Sequence, residues 1–253
     1  MKNMILLLML VVLGACGKPS IHNDSELLIS TASSLKEAML AIEVEFGKVQ
    51  PNTKLTFNFG SSGKLRSQIQ QGAPADVFLS ASVIDMDVLA NEGLIIKETF
   101  MPFAENRLVL ASLNHAESND FTQLLMSTHE TIAIGEPESV PLGAYTKQAL
   151  NNLGLWEALK GKMIYAKDAR QVLTYVESGN AGLGIIYFSD TKVSPNIKII
   201  SELPEGQHPI IYPAGIAEES KNREVAEAFL TFLTGKDGQK ILEQYGFITV
   251  KGG

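Results

Sequence analysis

Apolar positions along this chain follow two periods in turn, short unbroken or alternating runs and then helical spacing. Residues 27–30 are a compact apolar run suited to a buried strand, and Leu35, Met39, Ile42 and Phe46 then recur along one helix face. Residues 54–59 alternate strictly, with Leu55, Phe57 and Phe59 on one side and Lys54, Thr56 and Asn58 on the other, as in a strand covered on one face. A helix over 63–71, a strand over 76–80 and a helix through Leu89 follow. A second series opens with a strand at 107–111 and continues through a strand at 131–134, a helix at 142–153 and a strand near 163–165. It ends with a helix at 169–177 and a strand at 182–187. Apolar runs at 210–212 and 214–216 precede helices carrying Val225, Phe229, Phe232 and Leu233, then Ile241 and Leu242. Strand–helix alternation of this kind predicts an α/β fold with mostly parallel sheets covered on both faces. The two series predict two Rossmann-like lobes joined by two strand-like crossings, the first of residues 26–107 plus 214–253 and the second of 108–213. A ligand would then lie in the cleft, at the carboxyl ends of the strands.

The N-terminus carries an export signal. Lys2 supplies positive charge, residues 5–13 form an apolar run too short to span a bilayer, and Leu13-Gly14-Ala15-Cys16 closes it with small residues. This end resembles the bacterial lipoprotein lipobox, which implies cleavage of a 1–15 signal peptide, acylation of Cys16 and attachment to a membrane by lipid. An incidental thiol beside a plain secretory signal is the plainer alternative. Residues 16–25 are polar and read as a tether. Cys16 is the only cysteine, so no internal disulfide forms and packing must supply the stability.

Composition narrows the function. Of 253 residues, 45% are hydrophobic and 19% charged, enough apolar material for a core and too much for a disordered chain. The net charge of −7 argues against a nucleic-acid partner, which would require a basic face. His22, His115, His129 and His208 are scattered, without the spacing of a metal site. Ser61-Ser62-Gly63-Lys64 matches Ser-x-x-Lys and Ser178-Gly179-Asn180 matches Ser-x-Asn, but the Lys-Thr-Gly element that completes the penicillin-binding set is absent. Ser33 with Lys36 makes the first match again, so a serine hydrolase is a weaker reading. Gly182-Leu183-Gly184 opens a strand and lacks the third glycine of a dinucleotide fingerprint, and residues 60–64 are too short for a Walker loop.

What remains is a set of helix starts rich in hydroxyls and free amides. Ser34-Leu35-Lys36-Glu37 is a capping box, Ser61 and Ser62 stand between a strand and a helix, Pro141 opens a helix, and Asp168 can cap the helix from Ala169. Each alone reads as capping. Together they present four helix N-termini, whose free N–H groups and positive dipole ends attract an anion without any cationic side chain. An acidic protein can bind an oxyanion in this way, since its surface field is screened over roughly 8–10 Å.

Several segments taken in order resemble the bacterial periplasmic molybdate-binding proteins of ABC importers. They are Thr31-Ala32-Ser33-Ser34-Leu35, Gly60-Ser61-Ser62-Gly63, Gly72-Ala73-Pro74-Ala75-Asp76-Val77-Phe78, Gly135-Glu136-Pro137-Glu138 with Val140-Pro141-Leu142-Gly143, Gly184-Ile185-Ile186-Tyr187 and Tyr245-Gly246-Phe247. The resemblance runs from about Leu27 to Phe247. It implies the type II periplasmic binding protein fold, no enzymatic activity, no cofactor, and molybdate or tungstate as ligand, with an ABC permease as partner to a monomer. It also implies a ligand set: hydroxyls of Ser34 and Ser62, backbone N–H groups of Leu142 and Ala169, and the phenol of Tyr187. Leu142 and Phe188 depart from the smaller residues common there, and Ser33 adds a second hydroxyl beside Ser34.

Overall fold

The computed structural model describes residues 25–114, 121–203 and 209–250. Cys16, its signal peptide and most of the tether lie outside the described residues, as do His22, His115 and His208. The first lobe begins with β1 (Ser25–Ala32), a single 3-10 turn (Ser33–Leu35) and α1 (Lys36–Val49). Next come β2 (Thr53–Gly60), α2 (Ser62–Gln70), β3 (Val77–Leu79), α3 (Val83–Asn91) and β4 (Met101–Asn106). Arg107 alone separates β4 from β5 (Leu108–Ser112), which opens the second lobe. That lobe continues with α4 (Phe121–Ser127), β6 (Ile132–Gly135), α5 (Pro141–Asn152), α6 (Trp156–Leu159), β7 (Met163–Ala166) and α7 (Ala169–Glu177). It ends with β8 (Leu183–Tyr187), α8 (Asp190–Val193) and β9 (Lys198–Glu202). The chain returns through β10 (Ile210–Ile216) and finishes with α9 (Arg223–Thr234), α10 (Lys236–Gln244) and β11 (Ile248–Thr249).

The first sheet has six strands in the order β11-β4-β10-β3-β1-β2 and the second five in the order β7-β6-β8-β5-β9. In the first, β1 is parallel to β2 and β3, and β10 runs antiparallel to β3 and β4. In the second, β6 is parallel to β7 and β8, and β5 runs antiparallel to β8 and β9. The two-lobed α/β architecture is the one expected from the alternating pattern, but the sheets are mixed rather than mostly parallel, because β5 and β10 cross between the lobes and insert antiparallel. The two apolar runs around Pro213 form one strand, whose register slips between Tyr212 and Pro213 because proline cannot donate to the ladder. Residues 210–213, expected in the second lobe, therefore pair within the six-stranded sheet.

The residues that build these elements are those the periodicity marked. Leu35, Met39, Ile42 and Phe46 bury one face of α1, and Phe46 meets Phe229 and Phe232 of α9 edge-on, both at 5.5 Å. On β2, Leu55 is buried while Phe57 and Phe59 are half-buried and stacked at 5.4 Å, as suits an edge strand. The core runs continuously through both lobes, from Leu27 and Ile29 by way of Leu108, Tyr187 and Tyr212 to Phe247. A smaller cluster under α2 and α3 joins Leu65, Ile69, Phe78, Met86 and Leu89.

Candidate functional site

Parallel strands of both lobes aim their carboxyl ends at the cleft, and each is followed by a helix start. β1 leads into the 3-10 turn and α1, β2 into α2, β6 into α5 and β7 into α7, while β8 ends at Tyr187. The first N–H groups of a helix have no partner inside it, so they must find side chains, water or a ligand. At three of these starts no side chain caps: Leu35 before α1, Ser61 before α2 and Val140 before α5 make no side-chain capping bond. At α7, Asp168 caps as expected, its Oδ1 accepting the Gln171 N–H at 2.9 Å. That bond satisfies the third residue of the helix and leaves Ala169 N–H at its first position.

The serines are turned to other partners. Ser34 Oγ lies 3.0 Å from Tyr212 Oη, and Ser62 Oγ accepts the Ala81 N–H at 2.9 Å. Both serines are buried, and neither forms the local cap that its sequence position suggests. Ser61 Oγ is buried without a hydrogen-bond partner, so it makes no bond to Lys64, the lysine of its Ser-x-x-Lys match. Leu142 and Ala169 are buried at the first turns of α5 and α7. Tyr187 is 1% exposed, yet its Oη has no hydrogen-bond partner; its ring meets that of Tyr212 at 5.9 Å and 67°. Burial holds the Tyr187 phenol far above its ordinary pKa, so it remains a protonated donor.

The lobes are drawn together around these groups. At α2 and α5 the approach is so close that a Cβ on Gly63 would stand 2.7 Å from the Ser139 carbonyl oxygen, which only glycine tolerates. The turn before α5 is equally tight, since a Cβ on Gly143 would lie 2.1 Å from the Gly135 carbonyl oxygen. On the other side of the cleft, Arg170 of α7 forms a salt bridge with Glu37 of α1. Tyr145 of α5 faces Ser82 and Asp85 of α3, and its pKa is pushed up to about 12 by burial first and the Asp85 charge second.

Asp190 underlies Tyr187. Its Oδ2 accepts the Tyr187 N–H at 3.2 Å, while Oδ1 is buried without a partner. Burial raises its pKa to about 7 against the opposing pull of Arg170 and the Tyr187 N–H, with Glu177 adding to the rise. Phe188, the departure noted beside Tyr187, lies against the Arg107 guanidinium at 3.6 Å and the Lys192 ammonium at 5.2 Å. It therefore packs at the crossing between the lobes. Sequence reasoning passed over Asp190, Tyr212 and Glu37: Asp190 stands outside every motif, Tyr212 reads as part of an apolar run, and Glu37 as half of a capping box.

The helix starts thus gather neutral donors, while Lys36, Lys64, Arg66, Lys167 and Arg170 line the surrounding pockets, Arg170 already paired with Glu37. Among the described residues no group of three or more His, Cys, Asp or Glu side chains could hold a metal ion. No helix of the described residues is long and apolar enough to cross a membrane.

Comparison with known proteins agrees with this architecture. The chain is 38% identical over 242 residues to a putative ABC transporter substrate-binding lipoprotein of Bacillus subtilis, covering 94% of this chain and 93% of that one. It is 35% identical over 240 residues to the molybdate-binding protein ModA of Escherichia coli, covering 92% of each. The periplasmic molybdate-binding protein of Azotobacter vinelandii superposes with a TM-score of 0.82 at 26% identity, over 89% of this chain and all of that one. Residues 27–248 match the family described as bacterial extracellular solute-binding protein. The chain belongs to the bacterial extracellular solute-binding proteins.

Proposed function

We propose that this protein is the molybdate-capturing component of an ABC importer, lipid-anchored through Cys16 and acting as a monomer. The observation that carries this reading is the Tyr187 hydroxyl, buried and unpartnered, in a cleft where three of four helix starts lack a side-chain cap. An oxyanion would accept from Tyr187 Oη, the Ser34 and Ser62 hydroxyls and the Leu142 and Ala169 N–H groups. It is cargo: the protein performs no chemistry on it and requires no cofactor.

Donor geometry supports a fully deprotonated guest. Ser62 Oγ already accepts from Ala81, so its own proton is left for the ligand. Hydrogen bonds to a charged acceptor contribute about 1.5–3 kcal/mol each, net of those given up to water, so five of them support tight binding. Hydrogen phosphate would bring a proton to a site of donors and leave groups unsatisfied. Sulfate, with shorter bonds, would leave some of the donors of a molybdate site under-satisfied. Tungstate is nearly isosteric and would compete.

Titration calorimetry with molybdate, tungstate, sulfate and phosphate tests the assignment. Tight binding of molybdate and tungstate with weak or absent binding of the other two is expected. A preference for sulfate, or heat from none of the four, overturns it.

A further inference from the structure

A serine hydroxyl has one proton, and what its oxygen accepts determines where that proton goes. Ser34 Oγ and Tyr212 Oη, buried at 3.0 Å, could be donor and acceptor in either order. The surroundings of Tyr212 select one. Ser34 Oγ is the hydrogen-bond partner that the described residues give Tyr212 Oη, and Tyr212 is fully buried while Ser34 keeps a small exposed fraction. A phenol proton buried without an acceptor is costly, whereas the Ser34 proton can turn to water or a ligand, so Tyr212 Oη donates and Ser34 Oγ accepts. The ring cannot swing away, because Phe103, Tyr187 and Phe247 meet it at 6.3, 5.9 and 5.4 Å and it is fully buried. Burial holds its phenol above the ordinary range, so it keeps the proton it donates.

From this juxtaposition we propose that Tyr212 is a positioning residue of the anion site, donating to Ser34 Oγ and so committing the single Ser34 proton to the ligand. The proposal rests on the anion-binding reading and deepens it. With Tyr212 and Ala81 each taking one acceptor position, the protons of Ser34 and Ser62 are both left to act toward the cleft as donors. A guest that must itself donate, such as hydrogen phosphate, then meets two groups already committed to donating.

A double-mutant cycle tests it, with molybdate and phosphate affinities measured for the wild type, Tyr212→Phe, Ser34→Ala and the double variant. Tyr212→Phe keeps the ring and removes the donor. It is expected to weaken molybdate by about 5- to 50-fold and to raise the phosphate-to-molybdate affinity ratio. In the Ser34→Ala background the same change should cost less than about twofold, because its target is gone. Equal losses in both backgrounds, or no loss in either, overturn the proposal. If the wild type binds no oxyanion, the solute assignment itself falls, a result separable from failure of the cycle. Should Tyr212→Phe fail to fold, Phe247→Leu, which loosens one wall of the Tyr212 ring and with it the aim of its hydroxyl, takes its place in the cycle. Its effect on molybdate affinity must likewise disappear when Ser34 is alanine, and persistence there overturns the proposal.

Discussion

Replacing Tyr187 with phenylalanine separates affinity from stability at one atom. The ring of Tyr187 is packed against Tyr212 and is 1% exposed, so Tyr187→Phe preserves the packing. Its hydroxyl makes no hydrogen bond to protein, so the empty protein loses no interaction when it is removed. Burying an unsatisfied hydroxyl costs about 1–3 kcal/mol. Any fraction of the empty protein that holds the closed form is thus relieved of that cost. The thermal midpoint of the empty variant should stay level or rise, by up to about 2–4 °C for each kcal/mol relieved in a chain of this size. Affinity should move the other way. Loss of one donor to a charged acceptor, about 1.5–3 kcal/mol, corresponds to roughly 10- to 150-fold weaker molybdate binding. The assay is thermal unfolding with and without molybdate, joined to calorimetric titration. A midpoint several degrees lower with unchanged affinity would show that the phenol serves the core rather than the ligand, and would refute the reasoning.

Ser62→Ala should behave differently, lowering molybdate affinity about tenfold or more and also lowering the empty protein's midpoint, because the Ala81 N–H loses its acceptor; an unchanged midpoint would contradict this. Gly63→Ala sets a Cβ against the Ser139 backbone 2.7 Å away, so the lobes should fail to close. Small-angle scattering would then show no contraction on adding molybdate, and full contraction would refute the contact. Asp190, with its folded pKa raised by burial from the ordinary carboxylate range to about 7, binds its proton more tightly folded than unfolded. Stability should therefore fall as pH rises from about 4 to 7 and level off beyond, and Asp190→Asn should flatten that slope; denaturant midpoints across this range decide.

Much of the fold could be read from apolar spacing, because the strands that carry it are buried on both faces and the helices on one. The helix expected at 169–177 matches α7 at both ends, since Asp168 supplies a local cap. β4 escaped notice because Pro102, Glu105 and Asn106 interrupt its apolar residues, and it is a strand only because β10 and β11 flank it. β9 is an exposed edge without alternation. The site divides along the same line. Helix starts are local and legible, but the partners of their side chains are distant. The capping box Ser34–Glu37 is undone by Tyr212, 178 residues from Ser34, and Arg170, 133 residues from Glu37. No local pattern contains such pairings.

The division of donors between lobes also bears on release. On the proposed reading, Ser34 and Ser62 belong to the first lobe and Leu142, Ala169 and Tyr187 to the second, and none carries a charge. Opening the cleft removes the three second-lobe donors at once, about 4.5–9 kcal/mol at 1.5–3 kcal/mol apiece, a loss of at least a thousandfold in affinity. A lysine or arginine fixed in one lobe would act differently, since its field would persist at the anion after the lobes parted. Of the cations that line the pockets between the lobes, Arg170 is paired across the cleft with Glu37, so its charge is offset while the cleft is closed, and Lys36, Lys64, Arg66 and Lys167 stand outside the proposed donor set. Binding by neutral dipoles therefore makes capture depend on closure, and opening against a membrane partner sufficient for release.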